Sequence, residues 1–69
     1  MRIEFDDIEI SMLQELKLPF DVTKDITDDE YFILDEKVAD AIMNNLDENY
    51  APTLKGRIFE RIMDKISQA

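Results

Sequence analysis

The chain has 69 residues, no cysteine and no histidine, 45% apolar residues and a formal net charge of −9. That size means one domain whose core is barely sufficient, with no disulfide or thiolate–metal staple to help it. The apolar fraction excludes a disordered acidic tail, and the charge disfavours nucleic acid or an anionic membrane as partner of most of the surface.

The first element is announced by Asp6 three residues before Glu9, with Phe5 and Ile10 on either side. An N-cap oxygen accepts from the N3 amide, the N3 carboxylate reaches back, and the flanking apolar pair sets the entry angle. The helix is expected over about 7–17, with Ile8, Met12, Leu13 and Leu16 on one flank. Pro19 ends it and pushes Leu18 toward an extended backbone. Phe20 is expected to plug back into the core from the connector.

Thr27 and Glu30, between Ile26 and Tyr31, repeat the start signal. Tyr31-Phe32-Ile33-Leu34 also reads as a short buried strand. On a single wheel over 28–46, however, Tyr31, Phe32, Leu34, Val38, Ala39, Ala41, Ile42, Met43 and Leu46 gather on one broad side. Asp29, Glu36, Lys37, Asp40 and Asn44 gather on the other. Only Ile33 and Asp35 are misplaced, so one continuous helix is the better reading.

Asp47-Glu48-Asn49-Tyr50-Ala51-Pro52 forms a polar connector, and Thr53 is a suitable N-cap for a third helix over about 54–67. In it Leu54, Ile58, Phe59, Ile62, Met63 and Ile66 cover half the circumference. Gly56, the only glycine, sits in its first turn. It either permits close approach of another backbone or is merely tolerated near the helix end.

These elements predict an all-α domain spanning 1–69, a three-helix bundle or open three-helix array. The expected core is Ile8, Met12, Leu16, Leu34, Val38, Ile42, Leu46, Ile58, Ile62 and Ile66. Ile10, Leu13, Phe32, Ile33, Met43 and Phe59 are then surplus. A contiguous apolar patch marks an interface, with Phe32, Ile33, Met43, Phe59 and Met63 as candidates and a homodimer as the expected product.

The acids lie unevenly. Residues 1–53 hold fifteen acids against four cations, whereas 54–69 hold Lys55, Arg57, Arg61 and Lys65 against Glu60 and Asp64. Arg57, Arg61 and Lys65 are the candidate charged contacts. Pairs at three-residue spacing, Arg57–Glu60 and Arg61–Asp64, would absorb part of this field, and the remainder would dock on the acidic helices of the same or a neighbouring chain.

Catalysis is not expected, because the commonest general base and the strongest side-chain nucleophile are both absent. The adjacent acids are explained by the preference of carboxylates for helix N-termini. Calcium-loop spacing fails from Asp21, Asp25 and Asn45 alike, so no metal, cofactor or small-molecule substrate is expected. With no leader and no apolar run of spanning length, the expected location is the cytoplasm. The alternative to a self-associating module is an acidic regulator or inhibitor of a basic protein, including a mimic of nucleic-acid phosphates built on Asp29, Glu36, Asp40 and Asp47.

Leu18-Pro19-Phe20-Asp21, Asp25-Ile26-Thr27-Asp28-Asp29-Glu30 and Asp47-Glu48-Asn49-Tyr50 together resemble a layout found in short acidic helical proteins of Gram-positive bacteria. The resemblance implies a small helical bacterial protein. It carries no catalytic or binding residues, since its elements are caps and turns.

Overall fold

The computed structural model describes residues 1–51 and 53–68. Helix α1 spans Asp7–Glu15, α2 spans Asp28–Asn44 and α3 spans Leu54–Gln68. Both start signals form complete capping boxes. The Glu9 amide donates to Asp6 Oδ1 at 2.8 Å, and the Asp6 amide donates to Glu9 Oε1 at 2.9 Å. At α2 the corresponding distances are 3.1 Å to Thr27 Oγ1 and 2.9 Å to Glu30 Oε1. Thr53 starts α3, its Oγ1 accepting from the Gly56 amide at 3.2 Å. Pro52, expected to close the connector before it, lies outside the described residues.

Two helices stop about two residues earlier than the sequence pattern suggested. After Glu15 the ladder tightens, with the Leu16 and Lys17 amides donating to Leu13 and Gln14 carbonyls, and Lys17 enters the left-handed region at φ 53°. Such a residue ends a helix, even where a Cβ makes the conformation unfavourable. At α2, Asn45 turns its side-chain amide back onto the Ala41 carbonyl at 2.7 Å and accepts from the Thr53 amide at 2.9 Å. Asp47 then braces the turn, accepting from the Asn49 and Ala51 amides. Tyr31–Leu34 is helical, as the wheel predicted, and no strand occurs among the described residues.

Helix α3 is the central element. It runs antiparallel to α2, because the Tyr31 hydroxyl near the start of α2 donates to the Ile66 carbonyl near the end of α3 at 2.9 Å. It also runs antiparallel to α1. Glu15 at the end of α1 pairs with Lys55 at the start of α3, and Asp6 and Glu9 pair with Arg61 and Lys65 farther along. Helices α1 and α2 scarcely touch each other. This explains why α3 alone has an uninterrupted apolar half: it is covered from two sides.

The core contains Leu34, Val38, Ile62 and Ile66 as expected, with Met12, Leu16, Ile42 and Ile58 partly buried against it. Leu46 is also only partly buried. Three expectations fail. Ile8 is 57% exposed, whereas Leu13 and Phe59, counted as surplus, are 1% and 2% exposed. Helix α1 is turned by less than one residue step, so that Glu9 and Leu13 face α3 in place of Ile8. Irregular segments complete the core through Ile3, Val22 and Ile26. Met1 and Ile26 exchange two backbone hydrogen bonds of 2.7 Å, which lays the first residues beside the connector. Phe20 packs against the core without being fully buried, a partial version of the expected plug. Gly56 is buried on the same face as Phe59, Ile62 and Ile66, which favours the close-approach reading of the glycine.

Candidate interaction surface

The sequence singled out a basic stripe on α3, and the structure places most of it inside the molecule's own scaffold. Glu9 is fully buried. Its Oε1 accepts from the Asp6 amide and from Lys65 Nζ, while Oε2 lies 3.5 Å from Arg61 Nε and accepts no hydrogen bond among the described residues. Arg61 also donates to Asp6 Oδ2 at 2.7 Å. Lys65 sits 6.0 Å from the centre of the Phe5 ring, within cation–π range. The Asp6 carboxyl is held below its ordinary value of 3.8, first by the Glu9 amide bonded to it and then by the charges of Arg61 and Lys65.

Arg61 and Lys65 therefore clamp α1 onto α3. The positive field of α3 docks on an acidic helix of the same chain, as the sequence suggested, but through different partners. Neither the Arg57–Glu60 nor the Arg61–Asp64 pair is among the salt bridges formed by the described residues. Arg57 is exposed. The key residue, Glu9, carries in the capping motif only the signature of a helix start. One signal could have exposed it: Met12, Leu13 and Leu16 follow at three, four and seven residues, placing this acid inside an apolar arc.

The apolar interface candidates divide as well. Phe59 lies in the core and Met63 packs against it, so neither belongs to an outward patch. Ile33 is half-buried. Phe32 and Met43 remain outward, 68% and 69% exposed. The wheel groups them and Ala39 with Leu34, Val38 and Ala41, but those three are buried and Phe32, Ala39 and Met43 are not: at about 3.6 residues per turn they stand on the opposite side of α2. Glu36 and Ala39, both exposed, fall between them, so Phe32, Glu36, Ala39 and Met43 follow a four-three-four spacing along one face. Asp29 and Asp40 border that line.

Helix α2 carries six carboxylates and one cation, Lys37. None of these seven makes a salt bridge among the described residues. The three cations that do pair, Lys55, Arg61 and Lys65, are taken by the acids of α1 and its cap. The charge of α2 is therefore presented to the outside together with its apolar residues.

Tyr50 and Leu54, 83% and 78% exposed, form a further outward pair at the α2–α3 turn. Tyr50 is held there in the left-handed region at φ 61°. A recess of about 290 Å³ is an open groove between α1 and the connector, lined by Ile10, Leu13, Leu18, Phe20 and Val22 among others. On its rim the Asp21 carboxyl is held below its ordinary range, chiefly by the Thr23 hydroxyl donating at 2.6 Å.

No group of three or more Asp and Glu side chains is arranged to hold a metal ion among the described residues, and no described helix is long and apolar enough to cross a membrane. Compared with protein-family models, curated proteins and solved structures, the chain matches none.

Proposed function

We propose that this protein acts by binding rather than by catalysis, as a small interaction module whose contact surface is the outer face of α2. One observation carries the reading: two large apolar side chains, Phe32 and Met43, stand about two-thirds exposed on one helical face among carboxylates that form no salt bridge among the described residues. Isolated exposed apolar residues need no explanation; Phe32 and Met43 are set apart by sharing one face of a single helix, about three turns from each other, with the small Ala39 between them. Helix-on-helix recognition uses apolar anchors that recur along one helical face, and Phe32, Ala39 and Met43 fall on such a face at steps of seven and four.

Panning an unbiased library of displayed peptides against the immobilised protein tests the reading. Enriched binders are expected to lose the protein when Phe32 and Met43 are both changed to serine. Both positions are exposed, so the double variant should keep its helical circular dichroism and its urea midpoint. Binders that persist undiminished on the double variant would locate the contact surface elsewhere.

A further inference from the structure

We infer that the occupant of α2's outer face is a cationic amphipathic helix of a partner protein, laid along the line Phe32–Glu36–Ala39–Met43. This deepens the proposed binding role and rests on it. The spacing is that of a coiled-coil seam, with alternating steps of four and three residues. At 1.5 Å per residue the seam is about 16 Å long, enough for three turns of a docked helix and well matched to its apolar stripe. Ala39, small and central, lets the partner's backbone come close.

The seam is not purely apolar. Glu36 lies within it, and Asp29 and Asp40 lie on its borders. Covering those carboxylates without opposite charges would strip their water with nothing in return. A partner helix with lysine or arginine beside its own apolar stripe supplies both needs at once. Lysine and arginine stems can also cover Phe32 and Met43 while their charged ends reach the carboxylates.

The same charge argues against a second copy on this face. Asp29, Glu36 and Asp40 on one copy would meet the same three acids on the other, and three of the chain's eight cations are already committed to Asp6, Glu9 and Glu15. Nucleic acid is of the wrong sign altogether.

The test uses three synthetic peptides of about eighteen residues. One is a helix with leucines in four-three-four spacing flanked by lysines; the second replaces those lysines with glutamates; the third shuffles the first. Each is titrated into the ¹⁵N-labelled full chain at about 50 and about 300 mM salt. The cationic amphipathic peptide is expected to move the amides of Phe32, Glu36, Ala39, Asp40 and Met43. It should bind at least about tenfold more tightly than either control, and salt should weaken it by about tenfold.

The triple variant Asp29→Lys, Glu36→Lys, Asp40→Lys should reverse the preference between the cationic and acidic peptides. Equal binding of the acidic peptide at this face would overturn the cationic assignment while leaving α2 as the contact surface. Equal binding of the shuffled peptide would reduce the effect to diffuse charge and overturn the seam. Perturbations confined to other elements would sink both readings. Concentration-dependent dimerisation, followed by sedimentation, that is abolished by Phe32→Ser with Met43→Ser would overturn the cationic partner in favour of a second copy while leaving α2 as the contact surface.

Discussion

Replacing Glu9 with glutamine removes one charge from the most enclosed ion pair among the described residues and changes almost nothing else. Glutamine keeps the shape, and its carbonyl can still accept from the Asp6 amide. What disappears is the charge facing Lys65 and Arg61. Losing one member of a wholly buried pair costs about 3–5 kcal/mol, because the other member is stranded; a surface pair contributes about 0–1 kcal/mol. This case lies between the limits. The carboxylate is fully buried, but the Lys65 and Arg61 side chains are 39% and 53% exposed and can turn to water. We therefore expect a loss of about 2 kcal/mol, a large share of the roughly 3–10 kcal/mol available to a domain of this size. The melting temperature should fall by about 8–16 °C. Urea unfolding followed by far-ultraviolet circular dichroism, with unchanged m-value, measures it directly. A double-mutant cycle with Lys65→Met should return a coupling of about 1–2 kcal/mol. Added salt should narrow the difference only slightly, since one charge is shielded from solvent. A loss within about 0.5 kcal/mol of zero, or an additive cycle, would show that the clamp does not hold α1 in place.

The rotation of α1 is tested by a contrast: Leu13→Ala should lose about 2–5 kcal/mol, whereas Ile8→Ala should stay within about 0.5 kcal/mol in the same urea assay. Thr27→Ala should lose about 1 kcal/mol by removing the cap of α2, and Thr27→Asp should recover most of it. Tyr31→Phe should lose about 0.5–1.5 kcal/mol, since the Ile66 carbonyl loses its donor. The folded-state pKa of Asp6 is lowered, so the unfolded chain binds more protons as the pH falls through the carboxylate range. The contribution of Asp6 is complete above its ordinary value of 3.8 and disappears as the pH falls through the lowered one. Urea midpoints measured from about pH 5 to about pH 2 should show a shallower decline for Asp6→Asn.

The sequence by itself determined the number of helices, where each begins and which helix is the most amphipathic. Those properties are local. A capping box closes within four residues, and the 3.6-residue period of α3 needs no knowledge of what covers it. Helix ends were legible to within two residues, because Lys17 in the left-handed region and the Asn45 side chain stop the ladder through geometry that their residue types only permit. Phe32 and Met43 are legible as surplus, since α2 holds more apolar residues than its neighbours can cover, but their place opposite the buried side of α2 is not legible from the broad apolar grouping.

Tertiary structure decided which way α1 faces. Its wheel offers two almost equivalent fronts, and Ile8 against Glu9 looks like an easy choice for burial on hydropathy alone. Arg61 and Lys65 reverse it. Some fifty residues away in sequence, they supply two cations at the one place where Glu9 can be buried and paired, and Ile8 is left in water. Phe59 moved from surplus to core for a similar reason, because α3 is covered by two helices rather than one. A side chain's own chemistry fixes its local conformation, but the charge and shape of a distant segment fix which of its faces is inside.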